Sequence, residues 1–178
     1  MIKFSALPRI FFCLIFLGVI LALTGCGGGG GGSSTAGISP AELEVQAVLD
    51  SLVASIKAQS ADSVMSNFDT NLKYYPAATA VVGGYEDYNQ FRNRLNDFFT
   101  KAQVTDCSIT SAGIDAGMES VAMARGVLSC TYNEAGTVKT LQEQIEMKLE
   151  RVSKWGISEI YAYDQSVGQT GMNFPPKL

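Results

Sequence analysis

Histidine is absent from all 178 residues. That absence removes the Ser-His-Asp and Cys-His hydrolase arrangements, His-ligated metal centres and imidazole as a general base near neutrality. Lys and Arg never cluster, so no nucleic-acid face is expected. No internal repeat is present. The apolar run Ile10–Leu23 has 14 residues, short of the ~20 that a membrane-spanning helix needs. Cysteine is scarce, four in total, and two thiolates without histidine do not make a zinc site. No metal or cofactor is expected.

What is present begins with an address. Lys3 and Arg9 are the only charges before Cys26, and both precede the apolar run. A charged start, an apolar core of this length and small residues after it have the form of an export signal. Leu23-Thr24-Gly25-Cys26 then resembles the lipobox of bacterial lipoproteins. The resemblance implies a signal peptide at 1–25, diacylglycerol on the thiol of Cys26, and Cys26 as the first residue of the mature protein. Lipoproteins of this type carry two or three acyl chains such as palmitate, and two are enough for durable anchoring. The implied location is the bacterial cell envelope, outside the cytoplasm. Gly27 in place of Asp is compatible with the outer membrane where the host has one. An ordinary signal peptide or uncleaved anchor with an incidental cysteine is the competing reading.

Six glycines and two serines follow, Gly27 to Ser34. Such a run carries the largest backbone entropy and composes a flexible linker, so 26–38 reads as the lipidated Cys and its tether. A glycine-rich phosphate loop would need a strand before it, a helix after it and often a Lys, and those are missing. Beyond residue 25 lie all 17 acidic residues and 11 of the 13 basic ones, a net charge of −6. A domain of that charge is expected to stand off from anionic headgroups.

Residues 39–165 read as one α+β domain, with an irregular tail at 166–178. Ser39, Pro40 and Glu42 form a capping signature, and Val45, Val48, Leu49, Leu52, Val53 and Ile56 recur at helical spacing. A short helix is expected after Ser60, with Val64, Met65 and Phe68 inward. The span from Asn71 to Gly84 is irregular or briefly extended, with Pro76 and Gly83-Gly84 as punctuation. A third helix is expected in the Tyr85–Ala102 segment, with Tyr88, Phe91, Leu95, Phe98 and Phe99 on one stripe.

Strands follow at Thr105–Ile114 and Val121–Tyr132. A hairpin closing at Met118 and Glu119 sets Cys107 opposite Cys130, Ile109 opposite Leu128 and Ser108 opposite Ser129, so apolar and polar residues sort to separate faces. The export context favours a Cys107–Cys130 disulfide over a pair of reduced, buried thiols. From Val138 to Asp164 periodicity is ambiguous. Leu141, Ile145, Leu149 and Val152 fit a helix, whereas Ile145, Met147 and Leu149 alternating with Glu146, Lys148 and Glu150 fit a strand. The Lys154-Trp155-Gly156 turn favours a hairpin.

Helices followed by antiparallel strands imply helices against one face of a curved, four-stranded sheet. This order, with its ending "KLERVSKWGISEIYAYD", resembles the nuclear transport factor 2-like superfamily across Pro40–Asp164. The resemblance implies a cone whose open end is often a pocket for a small apolar ligand and whose outer sheet face often forms a homodimer. Phe68, Tyr74, Tyr75, Tyr85, Phe91 and Trp155 are candidate lining residues, although aromatic stripes also serve as ordinary core. The ketosteroid isomerase pattern within that superfamily uses Asp and Tyr in an apolar pocket. Asp69, Tyr74, Tyr75, Tyr85 and Tyr88 supply the residue types without matching positions, so no catalytic residue is assigned. Glu86, Asp87 and the acids of Gln142–Glu150 read as solvated surface. A binding or interaction module is therefore expected in preference to an isomerase, dehydratase or hydrolase.

Overall fold

The structure, a computed structural model, describes residues 38–76, 84–164 and 174–176. The expected signal and all but the last residue of the expected tether lie outside them. The first helix, α1 (Pro40–Lys57), starts where the capping signature places it. Ser39 Oγ accepts from the Glu42 N–H, and Glu42 Oε2 accepts from the Ser39 N–H at 2.6 Å. Its buried side is Val45, Leu49, Leu52 and Ile56. A short α2 (Ala61–Met65) follows, capped by Ser60. Phe68, expected on that helix, instead opens a strand, β1 (Phe68–Tyr75). After β2 (Glu86–Asp87), the helix α3 (Tyr88–Lys101) is capped by Asp87 with Gln90 and buries Phe91, Leu95 and Phe98.

Four long strands complete the domain: β3 (Ala102–Met118), β4 (Val121–Glu134), β5 (Thr137–Arg151) and β6 (Trp155–Asp164). The described sheet therefore has six strands rather than four, in the order β2-β1-β6-β5-β4-β3. All pairs are antiparallel except β1 with β6. The two additional strands lie at one edge, where β1 reaches β6 across about half of the chain.

The Val138–Asp164 ambiguity resolves as a hairpin. Leu141, Ile145, Met147 and Leu149 are buried in alternation along β5, while Val152, which a helical stripe would have buried, is 90% exposed. The β4–β5 turn is Ala135-Gly136, both at positive φ, the conformation that tight two-residue hairpins favour.

The cysteine hairpin has the expected pairs, Cys107 with Cys130, Ile109 with Leu128 and Ser108 with Ser129. Its tip differs: the turn is Glu119-Ser120, and Met118 pairs with Val121. Irregularities between Ser111 and Gly113 and between Asp115 and Met118 each place extra residues on β3, which restores the register at the cysteines. Gly126 lies opposite the first of these. A Cβ there would meet the Thr110 carbonyl oxygen at 2.6 Å, so β3 can approach only a glycine. Cys107 and Cys130 are disulfide-bonded with their Cα atoms 4.1 Å apart, and both are buried. Helix α1 runs antiparallel to β3, with Lys57 at its end bonded to Asp106 at 2.9 Å.

Non-reducing peptide mapping is expected to recover Cys107 linked to Cys130. Because the bond closes a loop of 23 residues, its reduction is expected to lower stability by ~3 kcal/mol in the chain-entropy view, read as a fall in the urea midpoint.

Candidate functional site

The helices cover the inner face of the sheet and leave between them a cavity of about 30 Å³. Leu52 and Ile56 from α1, Val64 from α2, Phe91 from α3, and Ile145 and Met147 from β5 contribute apolar walls. Small-molecule sites ordinarily measure about 300–1,000 Å³. This one has the volume of no more than a water molecule or two.

One acid faces it. Glu143 is 1% exposed and lines the cavity, against the sequence expectation of a solvated surface acid. The reason is strand parity: Leu141, Glu143, Ile145, Met147 and Leu149 share the inner face of β5, and a period of two makes no exception for charge. Desolvating a carboxylate is costly unless donors compensate it. Glu143 Oε2 accepts the backbone N–H of Phe174 at 3.0 Å. Phe174 is thus part of the site. Phe174 is buried, packs edge-on against Phe98 at 5.7 Å and lines the same cavity.

Beside them lies Arg94 of α3. Its guanidinium sits 4.7 Å over the ring of Tyr74, donates to the Phe174 carbonyl oxygen at 3.5 Å, and pairs with Glu86 of β2 at 3.1 Å. Glu86 is therefore a half-buried ion-pair partner and not a solvated acid, while Asp87 is the exposed cap of α3. Burial chiefly, and the Glu143 carboxylate next, push the Tyr74 hydroxyl well above its ordinary range; the Arg94 guanidinium works in the opposite direction. Tyr74 is a neutral phenol in the folded protein throughout the neutral range.

The six candidate lining residues divide. Phe68, Tyr74 and Phe91 meet at the cavity, with Tyr74 and Phe91 centroids 4.9 Å apart. Tyr75, one residue along β1, points to the opposite face and stacks on Tyr161 at 4.7 Å, with Tyr85 beside it at 5.8 Å. Trp155 lines a separate surface groove and donates from Nε1 to Glu44 Oε2 at 2.9 Å. Tyr88 packs at the margin of the core. Asp69 is half-buried beside Gly156 and does not line the cavity. The Asp–Tyr combination is therefore not assembled. Its place is taken by Glu143 with Tyr74, plus Arg94 and Phe174, which the sequence reading did not single out. Extending the β5 alternation back by two residues from Ile145 would have found Glu143. No local signal marks Phe174. Among the described residues, no three His, Cys, Asp or Glu side chains come together as a metal site.

Phe174→Ala is expected to cost about 3 kcal/mol in urea unfolding, as for other buried aromatic truncations. Tyr74→Phe is expected to change stability at pH 7 by less than about 1 kcal/mol. The raised Tyr74 titration contributes stability that is present below the unfolded tyrosine pKa of about 10 and is lost above it. The phenylalanine variant should accordingly lose less stability than the parent between about pH 10 and 12, measured by urea midpoints across that range.

No protein-family description and no curated protein matches the sequence. Solved structures do match the fold. A ketosteroid isomerase-like protein from Erwinia carotovora atroseptica superposes with a TM-score of 0.58 at 11% identity, over 70% of this chain and 95% of that one. A protein from Xanthomonas campestris, assigned as a calcium/calmodulin-dependent protein kinase II association domain, gives 0.57 at 19% identity over 70% and 87%. A nuclear transport factor 2-like protein of unknown function from Shewanella oneidensis gives 0.53 at 11% identity over 68% and 97%. At such identities the likeness speaks for architecture alone: the chain has the nuclear transport factor 2-like, ketosteroid isomerase-like α+β fold.

Proposed function

We propose that this protein is a membrane-anchored bacterial lipoprotein, lipidated on Cys26, whose domain outside the cytoplasm is a non-catalytic module that acts by binding. The observation that carries the non-catalytic reading is the small size of the interior cavity. The cavity is about 30 Å³, and Phe174 sits in it with its N–H on Glu143 and its carbonyl on Arg94. Two of the polar groups that could recognise a substrate, Glu143 and Arg94, are thus engaged with the chain itself. Binding then falls to the outer surface, where the outer sheet face, including Tyr161 and Tyr163, is available to a protein partner or a second copy.

A second reading has one observation in its favour. A carboxylic acid and a neutral tyrosine beside an apolar cavity are the ingredients of proton-transfer catalysis. An isomerase, dehydratase or hydrolase would use Glu143 and Tyr74 in that way, with the tail displaced.

Two measurements test these readings. Cys26→Ser is expected to move the protein from the membrane fraction to the soluble exported fraction; unchanged partitioning would overturn lipidation. Native mass spectrometry of the segment from Ser33 onward, produced in an oxidising compartment and never refolded, is expected to show an apo monomer or dimer. A copurified small molecule would instead favour the open pocket and the catalytic reading.

A further inference from the structure

Among the described residues, seven large apolar side chains remain exposed, four of them at one end and Tyr85, Val138 and Tyr163 elsewhere. Ile38, Leu43, Met118 and Val152 are 69, 56, 69 and 90% exposed, and all four belong to one end of the domain. Three contacts establish this. Glu44, next to Leu43 in the early turns of α1, accepts from Trp155 Nε1 at 2.9 Å and pairs with Arg151 at 3.2 Å. The Arg151 backbone N–H donates to the Ser120 carbonyl at 2.9 Å. The start of α1, the β3–β4 turn carrying Met118 and the β5–β6 turn carrying Val152 therefore converge.

The same end is where the chain enters the domain. Ile38 follows Cys26 by twelve residues, and a Gly/Ser-rich span of that length averages roughly 20 Å end to end. A lipid on Cys26 would hold this end, and not the opposite one, at the bilayer. The local cations do not supply a polybasic attraction: Arg151 is paired with Glu44, and Lys154 Nζ donates to the Ser66 carbonyl. Glu42 and Glu119 lie at this end as well. What the surface offers to a membrane is apolar area, whose removal from water is favourable, at the high effective concentration that a short tether imposes.

We propose that this end is a bilayer-contacting surface, with Ile38, Leu43, Met118 and Val152 seated in the interface of the membrane that holds the lipid. The inference rests on the lipidation reading. It replaces the stand-off expected from a net charge of −6, because charge averaged over the whole surface does not describe the one end that a tether presents.

The test uses the full lipidated chain in phosphatidylethanolamine–phosphatidylcholine vesicles, with or without brominated phosphatidylcholine. Val152→Cys and Val138→Cys are labelled separately with an environment-sensitive nitrobenzoxadiazole. Cys26 is acylated and Cys107 is bonded to Cys130, so the introduced thiol takes the label. Val138 is also exposed but lies beside the β4–β5 turn, about 40 Å away along β5 at strand rise. The expected result is a blue shift and several-fold stronger bromolipid quenching at 152 than at 138. Equal quenching at both sites, or at neither while the protein floats with the vesicles, would overturn the inference and leave lipidation standing. A blue shift at 152 without quenching would assign the surface to a second copy and would also overturn it. Failure of the parent chain to float would remove the lipidation reading, and the inference with it.

Discussion

The regular pairing of β4 with β5 is the constraint on which the rest of the domain depends. From Val121 opposite Glu150 to Glu134 opposite Thr137 the register runs without an interruption. Side chains alternate strictly along such a ladder, so Ala122, Ala124, Leu128 and Cys130 are committed to the same face as Leu141, Ile145, Met147 and Leu149. That face must be covered. Helix α1 lies over it along β3, α3 closes a second side, and Phe174 returns from the far end of the chain to fill what remains. Irregularities are displaced outward, to β3, β6 and β1, where a shift in register does not disturb the central pair.

The same strictness explains the buried acid. Glu143 occupies an inward position on β5, and the fold answers its desolvation with a backbone N–H from the tail. Tyr74 bears the reciprocal effect, since a carboxylate nearby and an apolar surround both favour the neutral phenol. A carboxylate, a phenol and a guanidinium brought together under low exposure form a high-stakes polar network. Here Phe174 takes part in the network through its backbone, its N–H on Glu143 and its carbonyl on Arg94.

The small size of this interior is what supports the proposal of a module that binds through its surface. The cavity measures about 30 Å³, and two outer surfaces of the described domain stand apart from it. They are not equivalent. The outer sheet face presents tyrosines and the ion pairs of Arg125 with Glu146 and Lys148 with Glu150, whereas the end where Ile38 enters the domain presents aliphatic side chains around a tied Arg151. Under the proposed lipidation such asymmetry is consequential, because a tether would select which end meets the membrane and which faces are left for partners.

Much of this was legible in the sequence because it is encoded locally. The capping box at Ser39, the α1 stripe and the cysteine hairpin each rest on spacings within a few residues or across one short turn. The sequence likewise determined the absence of histidine chemistry. Where local patterns were compatible with two periods, as in Val138–Asp164, the sequence stopped short, and Val152 shows why: only burial against a partner distinguishes a strand from a helix there. The parallel β1–β6 pair, the inward Glu143, the tail's place in the core and the gathering of Ile38, Leu43, Met118 and Val152 were decided by tertiary structure alone. Each depends on contacts between segments remote in the chain, and such contacts are selected by the collective requirement to cover one sheet face rather than by the preferences of the residues that make them.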